Sequence, residues 1–180
     1  MVTKTNLELK YFCNDFGPIR KILSELGAMK VGVKKQIDYF YNLPSAEKSP
    51  PARLKLRTEG KKKTLIYYQR PNFSADPPTQ AKVLLFPVKQ KAIKDLLKKA
   101  LGIKGIVEKT RELWSMENIV FNLDEVKGVG KVFEIEVTKL QESDNQVFED
   151  LKSQFLPYLD KCITTSNIEL VSQPEDYQSP

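Results

Sequence analysis

Ten charged residues recur at alternate positions within short apolar runs: Glu8 and Lys10 in NLELK, Arg53, Lys55 and Arg57 in ARLKLR, Lys109 and Arg111 in EKTREL, Asp124 in FNLD, and Glu134 and Glu136 in FEIEV. Residues two apart on a β-strand share a face. Most of these runs therefore present their charges on one side and Leu, Ile, Phe or Val on the other, while Lys109 and Arg111 share a side with Val107 and Leu113. A merely solvated face uses Ser, Thr and Gln freely; these faces hold long cations and carboxylates. Rows of Lys and Arg match phosphate oxygens, and clustered carboxylates match a hard divalent cation such as Mg²⁺ or Mn²⁺. A metal-bound polyphosphate would satisfy both sets.

The elements that must position them alternate by twos almost throughout. NLELKYF, VKKQIDYFY, ARLKLRTE, TLIYYQR, AKVLLFPV, GIVEKTRELW, NIVFNLD and KVFEIEVTK read as eight strands, separated by turn signals such as SPP, EGKKK, NFSADPP and EVKGVG. Three segments have helical spacing instead. They are residues 18–26 with Gly27 as a C-cap, residues 91–101 followed by Gly102, and about Asp144 to Asp160, where Pro157 should distort the last turns. Three amphipathic helices can cover the apolar faces of a sheet from outside, which turns the charged faces toward each other. Eight strands can close into a barrel whose interior just holds side chains or one small ligand. The expected fold is therefore α+β, an eight-stranded antiparallel closed β-barrel with helices packed outside. Its lumen would set Lys10, Arg53, Lys55, Arg57, Lys109 and Arg111 opposite Glu8, Asp38, Asp124, Glu134 and Glu136.

Composition narrows the chemistry further. The 180 residues suit one domain over 1–171, with SQPEDYQSP (172–180) read as a disordered tail. Net charge is +6, which favours anionic partners without choosing among them. Cys13 and Cys162 lie far apart with no CxxC spacing, so neither a disulfide framework nor a zinc site is indicated. No histidine is present, which excludes an imidazole base. No membrane span or leader is evident, and a cytoplasmic protein is expected. Taken singly, each charged run also fits a bland reading: NLELK a solvated face, RLKLR a basic edge that resists aggregation, EGKKK a solvated turn, and Tyr39, Tyr41, Tyr67 and Tyr68 packing residues.

The ordered series NLELK, GVKKQIDYFYN, ARLKLR, LIYYQRP, a helix ending in ALGI, VEKTREL, VFNLDEVKGVG and FEIEV resembles the CYTH superfamily of triphosphate tunnel metalloenzymes, from about Asn6 to Thr138. The resemblance implies a tunnel that binds triphosphate with Mg²⁺ or Mn²⁺. It implies metal-binding roles for Glu8, Asp124, Glu134 and Glu136, and phosphate-binding roles for Lys10, Arg53, Lys55, Arg57, Lys109 and Arg111. Asn6 stands where the family's ExExK motif has its first glutamate; an amide can still hold a metal through its oxygen or a bound water. The lysine many members carry before Gly-Pro is missing from LIYYQRP, and Arg70 or Lys82 is expected to substitute.

Three functions follow from that resemblance. The first is a metal-dependent hydrolase of inorganic triphosphate, ATP or thiamine triphosphate, with Glu8, Lys10, Arg57, Glu134 and Glu136 as the catalytic set. The second is a class IV adenylyl cyclase, in which the ribose 3′-hydroxyl replaces water and pyrophosphate leaves. The third is a non-catalytic module binding polyphosphate or RNA. Triphosphate-bearing small molecules are the expected partners; no membrane partner is expected, and nucleic acid ranks behind the small molecules.

Overall fold

The structure, a computed structural model, describes residues 2–43, 51–69, 79–138 and 144–172. In chain order the elements are β1 (Val2–Phe12), α1 (Phe16–Glu25), β2 (Met29–Tyr41), β3 (Ala52–Glu59), β4 (Lys62–Gln69), β5 (Thr79–Pro87), α2 (Ile93–Leu101), β6 (Ile103–Met116), β7 (Ile119–Val126), β8 (Gly130–Thr138), α3 (Asp144–Phe155) and α4 (Asn167–Ser172). The eight alternating runs are the eight strands. Every ladder is antiparallel, in the order β1-β5-β4-β3-β2-β6-β7-β8, and β1 pairs with both β5 and β8. The sheet thus curls round a lumen. Its wall is uneven, because β3 meets only Ile37–Tyr41 of β2, whereas β6 runs beside β2 from Met29. The start of β2 therefore overhangs β3, and at that mouth the wall has an edge instead of the full closure expected.

The outer face of β1, β6, β7 and β8 packs under α1 and α3. Phe16, Ile19 and Leu23 of α1 and Phe148, Leu151 and Phe155 of α3 join Leu9, Trp114, Phe121, Phe133 and Ile135 in one buried cluster. Three rings anchor it, Phe155 lying 5.8 Å from Phe121 and 4.8 Å from Phe133 between centroids. Removing one such ring would destabilise the fold by about 3–5 kcal/mol. Local signals end each helix. Asp15 caps α1 by accepting from the Gly17 amide at 3.0 Å, and Gly27, at φ +77°, turns the chain away in the left-handed region while Ala28 N–H reaches the Leu23 carbonyl. Pro157 limits α3, which stops at Phe155 and gives way to a 3-10 turn over Leu156–Tyr158. The expected cover by three helices holds for two of them. α2 buries no residue, leaves Leu96 exposed, and rests on β2 through Lys94 over the Tyr39 ring.

The segment after α3 crosses the end of β1, where the Phe12 amide donates to the Lys161 carbonyl and the Ile163 amide to the Lys10 carbonyl. It delivers α4 to one end of the barrel. There Ile168 and Leu170 are buried among Phe40, Ile66, Tyr68, Val107, Val126 and Val132. Gly105 permits this approach, since a Cβ there would clash with the Ile168 Cδ1. The lumen is consequently a cup, apolar at its floor and charged above. Ser172, expected to begin a disordered tail, closes α4; residues 173–180 lie outside the described residues.

Candidate active site

The charges above the floor are arranged by strand register. Lys55 and Arg57 on β3 face Asp38 on β2, with Asp38 and Arg57 direct partners. The Lys55 ammonium donates to Asp38 Oδ2 at 2.8 Å, and the Arg57 guanidinium holds both oxygens, Nε to Oδ1 at 2.7 Å and Nη2 to Oδ2 at 2.8 Å. The arrangement recurs on the adjoining strand pair, since β6 lies beside β2 in the sheet. Lys109 and Arg111 on β6 face Asp124 on β7, Arg111 being its direct partner, with all three contacts at 2.6 Å. Each Lys-x-Arg pair is thus held by a buried aspartate on the next strand, which fixes the direction of two long, flexible side chains. Between β1 and β8, Glu8 lies opposite Glu136 and Lys10 opposite Glu134. Lys10 Nζ is 3.4 Å from Glu134 Oε2, as is Arg111 Nη2, and the Asn122 amide donates to Glu134 Oε1 at 3.4 Å.

These groups line one cavity of about 210 Å³, which five cations (Lys10, Lys55, Arg57, Lys109 and Arg111) share with three carboxylates (Glu8, Glu134 and Glu136). Asn167 of α4 reaches its floor and accepts from Lys10 Nζ at 3.1 Å. Burial and charge shift the titrating groups strongly. Burial raises the Asp38 carboxyl, but Lys55 and Arg57 outweigh it and hold the group well below the usual carboxylate range. Asp124 is held low in the same way by Arg111 and Lys109. Burial, reinforced by Arg57, pushes Lys55 down to about 7 against the pull of Asp38. Burial and Arg111 push Lys109 down to about 8. Arg111 remains charged, its two carboxylate neighbours outweighing burial.

Not every expected residue reaches the cavity. Asp124 is fully buried with both oxygens on Lys109 and Arg111, so it orients cations and does not line the space a metal would share with substrate. Arg53 points at the closed end, where Glu169 of α4 takes its Nη2 at 2.8 Å. Lys82 is exposed, because Val83 and Leu85 are the β5 side chains that turn inward. Arg70 lies outside the described residues, as does the side chain of Asn6. Asn167 and Glu169 were missed, having no alternating or charged-row signal of their own.

Among the described residues, no three carboxylate, cysteine or histidine groups form a preformed metal cluster. The donor set still fits a hard cation, since Mg²⁺ is commonly held by one or two carboxylates plus substrate phosphates and water. Glu8 and Glu136, cross-strand partners on the cavity wall, would hold it, with Glu134 beside them.

The CYTH domain family model matches residues 4–160. The chain belongs to the CYTH family. Solved structures share its fold: the PH1012 protein of Pyrococcus horikoshii OT3 is 23% identical with a TM-score of 0.75, covering 92% of this chain and 99% of its own. A candidate adenylate cyclase of Vibrio parahaemolyticus is 16% identical with a TM-score of 0.69, over 94% and 98% of the two chains. A candidate adenylyl cyclase of Hippeastrum, HpAC1, described as having a dominant triphosphatase activity, is 15% identical with a TM-score of 0.64, over 95% and 96%. No curated protein matches the sequence. Among the described residues of this CYTH domain, no helix is long and apolar enough to cross a membrane.

Proposed function

We propose that this CYTH domain is a divalent-metal-dependent hydrolase of triphosphates, with inorganic triphosphate as the substrate its lumen fits best. The observation that carries the reading is the single cavity where five cations meet three carboxylates. Its volume, about 210 Å³, is below the ~300–1,000 Å³ of sites that enclose drug-sized ligands. A compact polyanion fits within it; a nucleoside would have to lie outside. Dependence on metal is general in this family, and the likeness to HpAC1 agrees with hydrolysis.

In this mechanism Lys55, Arg57, Lys109 and Arg111 clamp the phosphates from two sides and Lys10 from a third, offsetting the charge that spreads over the transferring group. Asp38 and Asp124 keep the clamp aimed before substrate arrives, so little reorganisation accompanies reaction. A divalent cation, when bound, supplies charge neutralisation and activation of water. The proton of the attacking water passes to a carboxylate on the Glu8–Glu136 wall, since the chain has no histidine. The terminal P–O bond breaks as water attacks phosphorus, releasing orthophosphate and pyrophosphate.

Incubation with ATP and Mn²⁺ or Mg²⁺ separates the alternatives. ADP with orthophosphate, or AMP with pyrophosphate, is the expected result. Cyclic AMP with pyrophosphate would establish the cyclase instead, and tight binding without turnover of ATP or triphosphate would leave a binding module.

A further inference from the structure

The floor of the cup carries a polar group of its own. α4 is anchored there firmly: Ile168 and Leu170 are buried, Glu169 takes Arg53 Nη2 at 2.8 Å, and the backbone amide and the hydroxyl of Ser166 both donate to Glu169 Oε2, at 2.7 and 2.8 Å. Asn167 stands between these anchors and lines the charged cavity. Its side-chain amide has a fixed sense. Lys10 Nζ, 3.1 Å away, is a donor only, so the atom that meets it must be the carboxamide oxygen, and Nδ2 turns away from Lys10. Among the described residues Nδ2 has no hydrogen-bond partner, and it keeps solvent-accessible surface.

The clamp cations are engaged before substrate arrives, Lys55 and Arg57 by Asp38 and Lys109 and Arg111 by Asp124. Asn167 Nδ2 is not, and it engages none of the three cavity carboxylates. In the empty cup water meets it; in the filled cup the acceptor within reach is a phosphoryl oxygen, and a hydrogen bond to an ionised acceptor is stronger than one to water. We infer that Asn167 is a substrate-binding residue: its Nδ2 donates to an oxygen of the innermost phosphate, while Lys10, through Oδ1, keeps the amide turned that way. The inference rests on the triphosphate reading of the cup. It adds a neutral contact and a direction, since the phosphate chain enters end-first from the mouth and its leading phosphate meets α4. Because α4 is docked before substrate arrives, this donor needs no reorganisation to act.

The test is binding of inorganic triphosphate to the full chain in the absence of divalent metal, so that no turnover is needed, read by calorimetry and by the side-chain amide resonances of Asn167. The Nδ2 proton pair should shift with the calorimetric midpoint. Asn167→Ala removes the donor and should weaken binding about tenfold or more, as for loss of a hydrogen bond to a charged group. Asn167→Asp keeps the shape and an oxygen for Lys10, and a carboxylate suits the first turn of a helix, so the fold stands; it sets a repelling oxygen where the donor was and should weaken binding further. Unchanged affinity in Asn167→Ala, even with Asn167→Asp weakened by its charge, would overturn the inference while the triphosphate reading stands, as would Asn167 resonances that stay in place while the wild-type protein saturates. A wild-type protein that binds no triphosphate would overturn both.

Discussion

Lys55 and Lys109 are the residues whose charge is most easily changed. Both are protonated below their shifted values of about 7 and 8 and neutral above them, so the clamp weakens toward a polyanion as pH rises through that window. The kcat/KM for triphosphate, which reports the free protein, should fall on the alkaline side with a midpoint between the two values; a profile flat across that window and above it would show that the two lysines do not clamp. Unfolding is not the cause of such a fall. Lys55 is near 10.5 when unperturbed and about 7 in the fold, so between those values the unfolded chain binds more protons and this group's contribution to stability rises with pH. Glu136 offers the complementary test on the acidic side of the cup. Glu136→Gln keeps the shape and removes the charge, and it should lower metal-dependent turnover at least ~100-fold, beyond what outer-shell changes around a metal usually cost. An unchanged rate with unchanged metal requirement would remove Glu136 from the metal set. The inward charges on β1, β3, β6 and β8 were legible because strand period and residue type agree. Lys82 was not, because in AKVLLF it shares a face with Leu84 and Phe86 while the other face is also apolar, which leaves no clean alternation from which to tell inside from outside.

Two elements, each an aspartate on one strand facing Lys-x-Arg on the next, do most to preorganise the cup. Their cost is desolvation, and their stability depends on completeness: removing one partner of a buried ion pair destabilises by about 3–5 kcal/mol because charge is left uncompensated. Asp124→Asn should therefore cost an amount of this order in urea unfolding. Asp38→Asn should cost less, since the Lys55 and Arg57 side chains keep 14% and 17% exposure whereas Lys109 keeps 2%. Equal and negligible losses would mean that neither aspartate holds its cations. The sequence placed Asp124 on the inner face, but its task was decided by register, which sets Arg111 directly opposite and spends both oxygens there. The same limit hid α4. Six residues carry little helical signal of their own, and what fixes this helix is tertiary: Ile168 against Gly105, Glu169 on Arg53, and Asn167 beneath Lys10.

At the scale of the whole molecule, the ring of ladders, the helices outside and α4 across one end leave a charged cup approached from the mouth where β2 overhangs β3. Lys34, Lys35 and Lys62 lie at that mouth with Glu59, on a chain of net charge +6, a distribution suited to drawing in a polyanion. The ordered series of motifs made the family legible, and the eight-stranded antiparallel sheet with it. The uneven wall and the apolar floor were not, because both arise from where strands end relative to one another and not from any residue's type. The most direct measurement is ³¹P NMR of inorganic triphosphate incubated with the protein and Mg²⁺ or Mn²⁺, with a chelator control. Conversion to equal amounts of orthophosphate and pyrophosphate that stops on chelation is the predicted result. Triphosphate left intact with either metal would contradict the account.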